Sequence, residues 1–230
     1  RRFLPLWYST RMRTFVVGDI HGQHRALVAC LKAVQFDYRR DRLIVLGDVC
    51  DRGPNVREAF DELLKIKNCI YLVGNHDIMA LEWAETGRRD ENWLSQGGDL
   101  TYRSYAGVPM PEAHRRLIRG GRVYFEDAGQ LFLHAGFDPR RPVAGQPRDF
   151  LTWDRELVGT AWEAHRAGRA WRVPGYSEVF VGHTPTLLFG SSAPLHLGNL
   201  WLLDTGAGYS QMLTIMEAAT GEYRQERAGA

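Results

Sequence analysis

The stretch TFVVGDIHG, Thr14 to Gly22, decides the fold. Phe15-Val16-Val17 is the kind of aromatic and β-branched run that fills a buried strand, and it ends at Gly18, where polar Asp19 and His21 follow. Directly after it, Ala26, Leu27, Cys30, Leu31 and Val34 recur at helical spacing. The same order then repeats. Leu43-Ile44-Val45-Leu46 reads as a second strand, and a helix near Val56 to Lys65 keeps Ala59, Phe60, Leu63 and Leu64 on one side. Ile70 to Val73 reads as a third strand, with a helix expected to start near Asp77 and run through Met79, Leu81 and Trp83. Strands alternating with amphipathic helices are the mark of a layered α/β fold.

Between Glu85 and Gly121 the periodicity weakens, and Trp93, Gly97-Gly98, Tyr102 and Tyr105 stand in a polar background, so residues 85–121 are read as a cap or lid. Val123-Tyr124-Phe125 and Leu131-Phe132-Leu133 flank Asp127-Ala128-Gly129 as a hairpin. Val179 to Val181, Leu200 to Leu203 and Met212 to Met216 supply further strands. The expected architecture is α/β in four layers: a central two-sheet mixed β-sandwich flanked by helices, formed by one domain over 14–230. Residues 1–13 are expected to be an irregular arm. Their basic start resembles that of an export signal, but no apolar run or small-residue cleavage site follows.

Composition narrows the function classes. A net charge of +2 is too small to argue for a stable nucleic-acid partner or a membrane surface. No apolar run approaches the roughly 18 residues of a membrane span. Cys30, Cys50 and Cys69 are odd in number and lack CxxC spacing, which argues against a disulfide framework and a thiolate zinc site and fits a reducing, cytoplasmic compartment. Lys32, Lys65 and Lys67 are the only lysines among 29 basic residues, so arginine carries nearly all the positive charge. That is either a coding bias or, at a few positions, a means of gripping oxyanions bidentately.

The chemistry-bearing residues follow the strands. Gly18-Asp19-Ile20-His21-Gly22, Gly47-Asp48-Val49-Cys50-Asp51-Arg52-Gly53, Gly74-Asn75-His76-Asp77, His134-Ala135-Gly136 and Gly182-His183-Thr184 each come directly after an apolar run. Loops beyond the carboxyl ends of strands gather at one edge of such folds. Asp19, His21, Asp48, Asn75, His134 and His183 are carboxylate, amide and imidazole donors suited to first-row divalent cations. Two such cations sharing a bridging carboxylate can activate water for attack at phosphorus.

The series GDIHG, GDVCDRG, GNHD, HAG and GHT resembles the calcineurin-like metallophosphoesterase superfamily, within it the phosphoprotein phosphatase branch and its bacteriophage and bacterial Ser/Thr phosphatases, over roughly Thr14 to Gly221. The resemblance implies one metal on Asp19, His21 and Asp48, and a second on the bridging Asp48 with Asn75, His134 and His183. It implies His76 as general acid, Asp51 as its partner and Arg52 as phosphate clamp. Arg155, in Trp153-Asp154-Arg155-Glu156, is either a further phosphate contact or a surface ion pair with Asp154 or Glu156, and Asn75 is a candidate phosphate contact as well as a ligand. Mn²⁺ is the expected metal by analogy, with Fe²⁺, Zn²⁺, Co²⁺ and Ni²⁺ compatible with the same donors. A phosphoprotein or small phosphoester is the expected substrate. Gly182-His183-Thr184-Pro185 lacks the closing histidine common in the nucleases of the superfamily, whereas Gly-Asn-His-Asp resembles the symmetrical dinucleoside tetraphosphate hydrolases, which form the alternative. A non-catalytic scaffold would need missing ligands, and none is missing. His24 is read as a helix-surface residue and Cys50 as a small buried filler.

Overall fold

The computed structural model describes residues 12–227, so residues 1–11 of the expected arm lie outside the described residues. Arg13 is tied by an ion pair of 2.5 Å to Asp41. From there the chain forms β1 (Thr14–Val17), α1 (His24–Ala33), β2 (Arg42–Val45), α2 (Val56–Leu63), β3 (Asn68–Tyr71), α3 (Asn75–Thr86), α4 (Glu91–Trp93), a π-helical turn (Leu94–Gly98), α5 (Asp99–Ser104) and α6 (Glu112–Arg119). The second half contains β4 (Tyr124–Asp127), β5 (Gln130–Leu133), α7 (Arg148–Trp153), α8 (Glu156–Arg166), β6 (Glu178–Val181), β7 (Leu195–Leu197), β8 (Leu200–Leu202), α9 (Ala207–Ser210), β9 (Met212–Glu217) and β10 (Tyr223–Arg227).

These strands make two five-stranded sheets, ordered β10-β9-β1-β2-β3 and β4-β5-β6-β8-β7. In each sheet the central strands are parallel: β1, β2 and β3 in the first, β5, β6 and β8 in the second. Period-two alternation builds the layers. Phe15, Val17, Leu43 and Val45 pack under the helices with Leu27, Leu31 and Phe60. Between them, Val16 and Ile44 face the other way and meet Phe132, Phe180 and Leu203 of the second sheet. Leu131, Leu133, Val179, Val181 and Leu202 turn outward to Leu157, Val158 and Ala161 of α8. Helix, sheet, sheet, helix is the four-layer sandwich that the sequence implies. Phe132 and Phe180, neighbours on the second sheet stacked at 4.9 Å and 9°, present their rings to Val16 and Ile44 of the first.

Differences from expectation have local causes. Helix α3 starts at Asn75 rather than Asp77, because the Asp77 carboxylate accepts the Gly74 N–H at 3.1 Å and fixes the first turn. Strand β3 ends at Tyr71, two residues earlier than read. Residues 85–121 hold α4, the π-helical turn, α5 and α6, and their aromatics Trp93, Tyr102 and Tyr105 gather around Trp83 of α3. Trp93 stacks on Trp83 at 5.5 Å, and Tyr102 makes a T-shaped contact with Trp83 at 5.6 Å. No helix of the described residues is long and apolar enough to cross a membrane.

Candidate metal centre and active site

The parallel strands point their carboxyl ends at one seam between the sheets, and each end carries a polar turn. β1 delivers Asp19 and His21, β2 Asp48, Asp51 and Arg52, β3 Asn75 and His76, β5 His134, and β6 His183. Turning a chain this abruptly takes unusual backbone. Of the nine non-glycine residues with positive φ among the described residues, five are His21, Asp48, Asp51, Arg52 and His183. Such conformations cost about 1–3 kcal/mol each and survive only where the surroundings enforce them. Gly74 and Gly182 make the close approach possible, since a Cβ would lie 2.0 Å from Asp48 Oδ1 and 2.1 Å from Asp19 Oδ1 respectively.

All six expected ligands come together. Asp48 Oδ2 lies 3.9 Å from His21 Nε2 and 3.5 Å from His134 Nε2. Asp19 Oδ2 is 4.0 Å from His21 Nε2, and both Asp19 oxygens accept the His183 backbone N–H, at 3.0 and 3.1 Å. His134 Nε2 stands 3.0 Å from Asn75 Oδ1. Two groups converge within 4.8 Å: His21, Asp48 and His76, and Asp48, His134 and His183. Asp48 belongs to both. His76 takes a place in the first group where the sequence reading has Asp19, although its Nδ1 is engaged by Asp51 at 2.7 Å.

The imidazoles are oriented from behind. His21 Nδ1 donates to the Cys50 carbonyl and His134 Nδ1 to the Leu46 carbonyl, each at 2.8 Å, which leaves Nε2 of both with a lone pair facing the seam. His183 Nε2 is buried with no hydrogen-bond partner among the described residues. Burial lowers the pKa of all three, to about 3 for His134 and about 2 for His183, and well below the usual value for His21. The carboxylates move the opposite way. Burial raises Asp48 to about 7, and burial with the charges of Asp204 and Asp48 raises Asp19 well above the ordinary range. Neutral imidazoles and crowded carboxylates whose lone pairs meet in one seam fit divalent cations, which would relieve both the orphaned nitrogen and the mutual repulsion.

Beside the two groups lies a hydrogen-bonded pair. Burial disfavours the His76 imidazolium, but Asp48 and Asp51 outweigh it and raise the pKa. Arg52, half-buried, brings Nη1 within 3.4 Å of His21 Nε2 and lies under the Tyr209 ring at 4.7 Å. Arg155 is exposed at the N-terminus of α8 and, among the described residues, pairs with neither Asp154 nor Glu156. Its charge is felt in the seam, where it depresses His134 and His183 after burial and neighbouring imidazoles.

Residues 12–190 match the calcineurin-like phosphoesterase family. The chain belongs to that family. It is accordingly a metal-dependent phosphatase, and the two donor groups could hold metal ions. Among curated relatives, the chain is 28% identical over 209 residues to serine/threonine-protein phosphatase 1 of Salmonella typhimurium, covering 87% of this chain and 89% of that protein. It is also 28% identical over 130 residues to a symmetrical bis(5'-nucleosyl)-tetraphosphatase of Methylobacillus flagellatus, covering 56% of this chain but only 45% of that protein. A crystal structure of a putative diadenosine tetraphosphatase has the same fold, with a TM-score of 0.71 at 22% identity over 96% of this chain and 95% of that one.

Three members of the site escaped the sequence reading. Asp204, buried at the end of β8, accepts the Gly206 N–H at 3.0 Å, and burial raises its pKa to about 6. Its signal was present: Leu203-Asp204-Thr205-Gly206 repeats the strand, acid and glycine order of the other turns. Trp93 donates Nε1 to both Asp51 oxygens at 3.0 Å, and Thr101 donates its hydroxyl to Asp51 Oδ1 at 2.6 Å. Nothing in their spacing marks these two, because the contact spans 42 and 50 residues.

Proposed function

We propose that the protein hydrolyses phosphomonoesters at a dinuclear centre, as a Ser/Thr-type protein phosphatase. The observation that carries this reading is the position of Asp48 Oδ2 between His21 Nε2 and His134 Nε2, at 3.9 and 3.5 Å, as a carboxylate common to both donor groups. Asp19, His21 and Asp48 would hold one cation; Asp48, Asn75, His134 and His183 the other. Mn²⁺ is our choice by analogy, because the donors alone do not separate it from its first-row neighbours. Bound there, the cations would supply Lewis-acid polarisation of the phosphoryl group and a stronger water nucleophile.

The chain's own groups cover the remaining needs. Arg52 presents a planar fork to phosphoryl oxygens, and Arg155 adds positive charge from the start of α8. Asn75 can reach a phosphoryl oxygen from the first turn of α3. His76, its Nδ1 held by Asp51, offers Nε2 to the departing alkoxide as general acid. The match along nearly the full length of a serine/threonine phosphatase supports the phosphoprotein reading.

The second reading, cleavage of dinucleoside polyphosphates, has the partial match to the tetraphosphatase in its favour. Asp77 does not add to it. Its carboxylate is turned inward onto the N–H groups of Gly74, Asp48, Val49 and Cys50 and faces no substrate. Incubation with Mn²⁺ and either a phosphothreonine peptide or diadenosine tetraphosphate separates the two. Phosphate release from the peptide is expected; ADP from the dinucleotide with an inert peptide would transfer the assignment to the second reading, and no turnover of either would defeat both.

A further inference from the structure

The turn Asp51-Arg52 is strained at two successive residues, with φ of 70° and 62°, and neither is glycine. Both of its backbone N–H groups are held from the helical segment after α3. Arg52 N–H donates to the Gly97 carbonyl at 3.2 Å, on the π-helical turn. Asp51 N–H donates to Thr101 Oγ1 at 2.8 Å, and the same hydroxyl donates to Asp51 Oδ1 at 2.6 Å. This closed pair of bonds locks backbone and side chain of Asp51 together. Trp93 Nε1, shared equally between the two oxygens at 3.0 Å, fixes the plane of the carboxylate. The indole has no freedom of its own, being stacked on Trp83 with Gly98 so close that a Cβ there would lie 2.3 Å from the ring.

With both oxygens engaged, Asp51 has one direction left, and Oδ2 meets His76 Nδ1 there at 2.7 Å. We propose that Trp93 and Thr101 are positioning residues that aim His76 at the leaving group by fixing Asp51. This rests on the reading of His76 as general acid. A group that merely completed the core would need neither the bifurcated indole bond nor a hydroxyl that both accepts from and donates to one residue. Misaiming an acid hurts only substrates that need the proton, and a displacement of about 1 Å can cost a factor of 10².

The test compares Thr101→Val, Trp93→Phe and His76→Asn on two phosphomonoesters in the Mn²⁺-loaded enzyme. 2,4-Dinitrophenyl phosphate has a leaving group that departs without protonation, whereas phenyl phosphate does not. Thr101→Val and Trp93→Phe are expected to lower kcat for phenyl phosphate about 10-fold to 100-fold and for the dinitrophenyl ester less than about threefold, with KM unchanged. Thr101→Ser, which keeps the hydroxyl, should return kcat close to the parent value. Equal losses on both esters would overturn the positioning role if His76→Asn itself discriminates between them. A His76→Asn variant that does not discriminate defeats the acid reading instead, and with it this proposal. Thr101→Val is isosteric and carries the comparison alone if Trp93→Phe does not fold.

Discussion

Asp77 illustrates how far a single carboxylate can organise the turns around it. Its two oxygens accept four backbone N–H groups, those of Gly74, Asp48, Val49 and Cys50, at 2.9 to 3.1 Å. Asp77→Ala would orphan buried donors on two adjacent turns, at about 1–3 kcal/mol for each one left unmet. A loss of roughly 3 kcal/mol or more in urea unfolding is expected, together with weaker metal uptake, because Asp48 sits in the turn that comes loose. A loss under about 1 kcal/mol would mean the turns hold themselves. At this scale the sequence was informative about the proposed ligands and mute about their supports. Asp19, His21, Asp48, Asn75, His134 and His183 stand beside glycines at strand ends, where local chemistry marks them. Asp77, Thr101 and Trp93 act through contacts made only after folding, and an Asp, a Thr and a Trp in isolation have many other uses.

Among the elements, α6 shows why some helices were not anticipated. Glu112 to Arg119 is dominated by charge, and its buried residues are only His114 and Ile118. His114 is nevertheless a structural joint, with Nδ1 bonded to the Tyr105 hydroxyl and Nε2 to Asp61, each at 2.9 Å, and its ring stacked on Phe60. Burial lowers its pKa below the usual 6.5, more than Asp61 raises it. In the unfolded chain the imidazole titrates normally, so the unfolded state takes up the proton first as pH falls. Stability from this group is therefore complete above about pH 6.5 and drains away as pH drops toward the lowered folded value. His114→Phe should flatten the decline of the urea midpoint between pH 7 and 5; an unchanged slope would assign that decline to the seam histidines alone. Strand β10, Tyr223 to Arg227, escaped notice for a related reason: it is a polar edge strand with no buried residue to betray it. Helix α8 was legible in principle, since Leu157, Val158, Ala161 and Ala164 lie at helical spacing.

At the scale of the whole molecule, one interface carries the architecture. Phe132 and Phe180 are at most 1% exposed where the sheets face each other, and they sit immediately behind the strand ends that bear His134 and His183. Phe132→Ala should cost about 3–5 kcal/mol by calorimetry or urea unfolding, whereas a cost below 1 kcal/mol would show that the layers are held elsewhere. Because the proposed ligands come from both sheets, cations should bind the folded chain and not the unfolded one. Saturating Mn²⁺ at about 100 times its Kd is expected to stabilise by about 2.7 kcal/mol, read as a Tm difference with and without chelator. Identical melting curves would argue against any bridging ion.

The sheet order has a consequence for how the protein comes into being. Strand β1 bonds on one side to β2, but on the other to β9, which comes after β2 to β8 in the chain. During synthesis the acidic turn at Asp19 therefore waits until β9 has been made before its flank is covered. A nascent polypeptide released short of residue 212 would have every proposed metal donor and an unzipped sheet edge, so premature termination is expected to yield aggregates rather than a miniature enzyme.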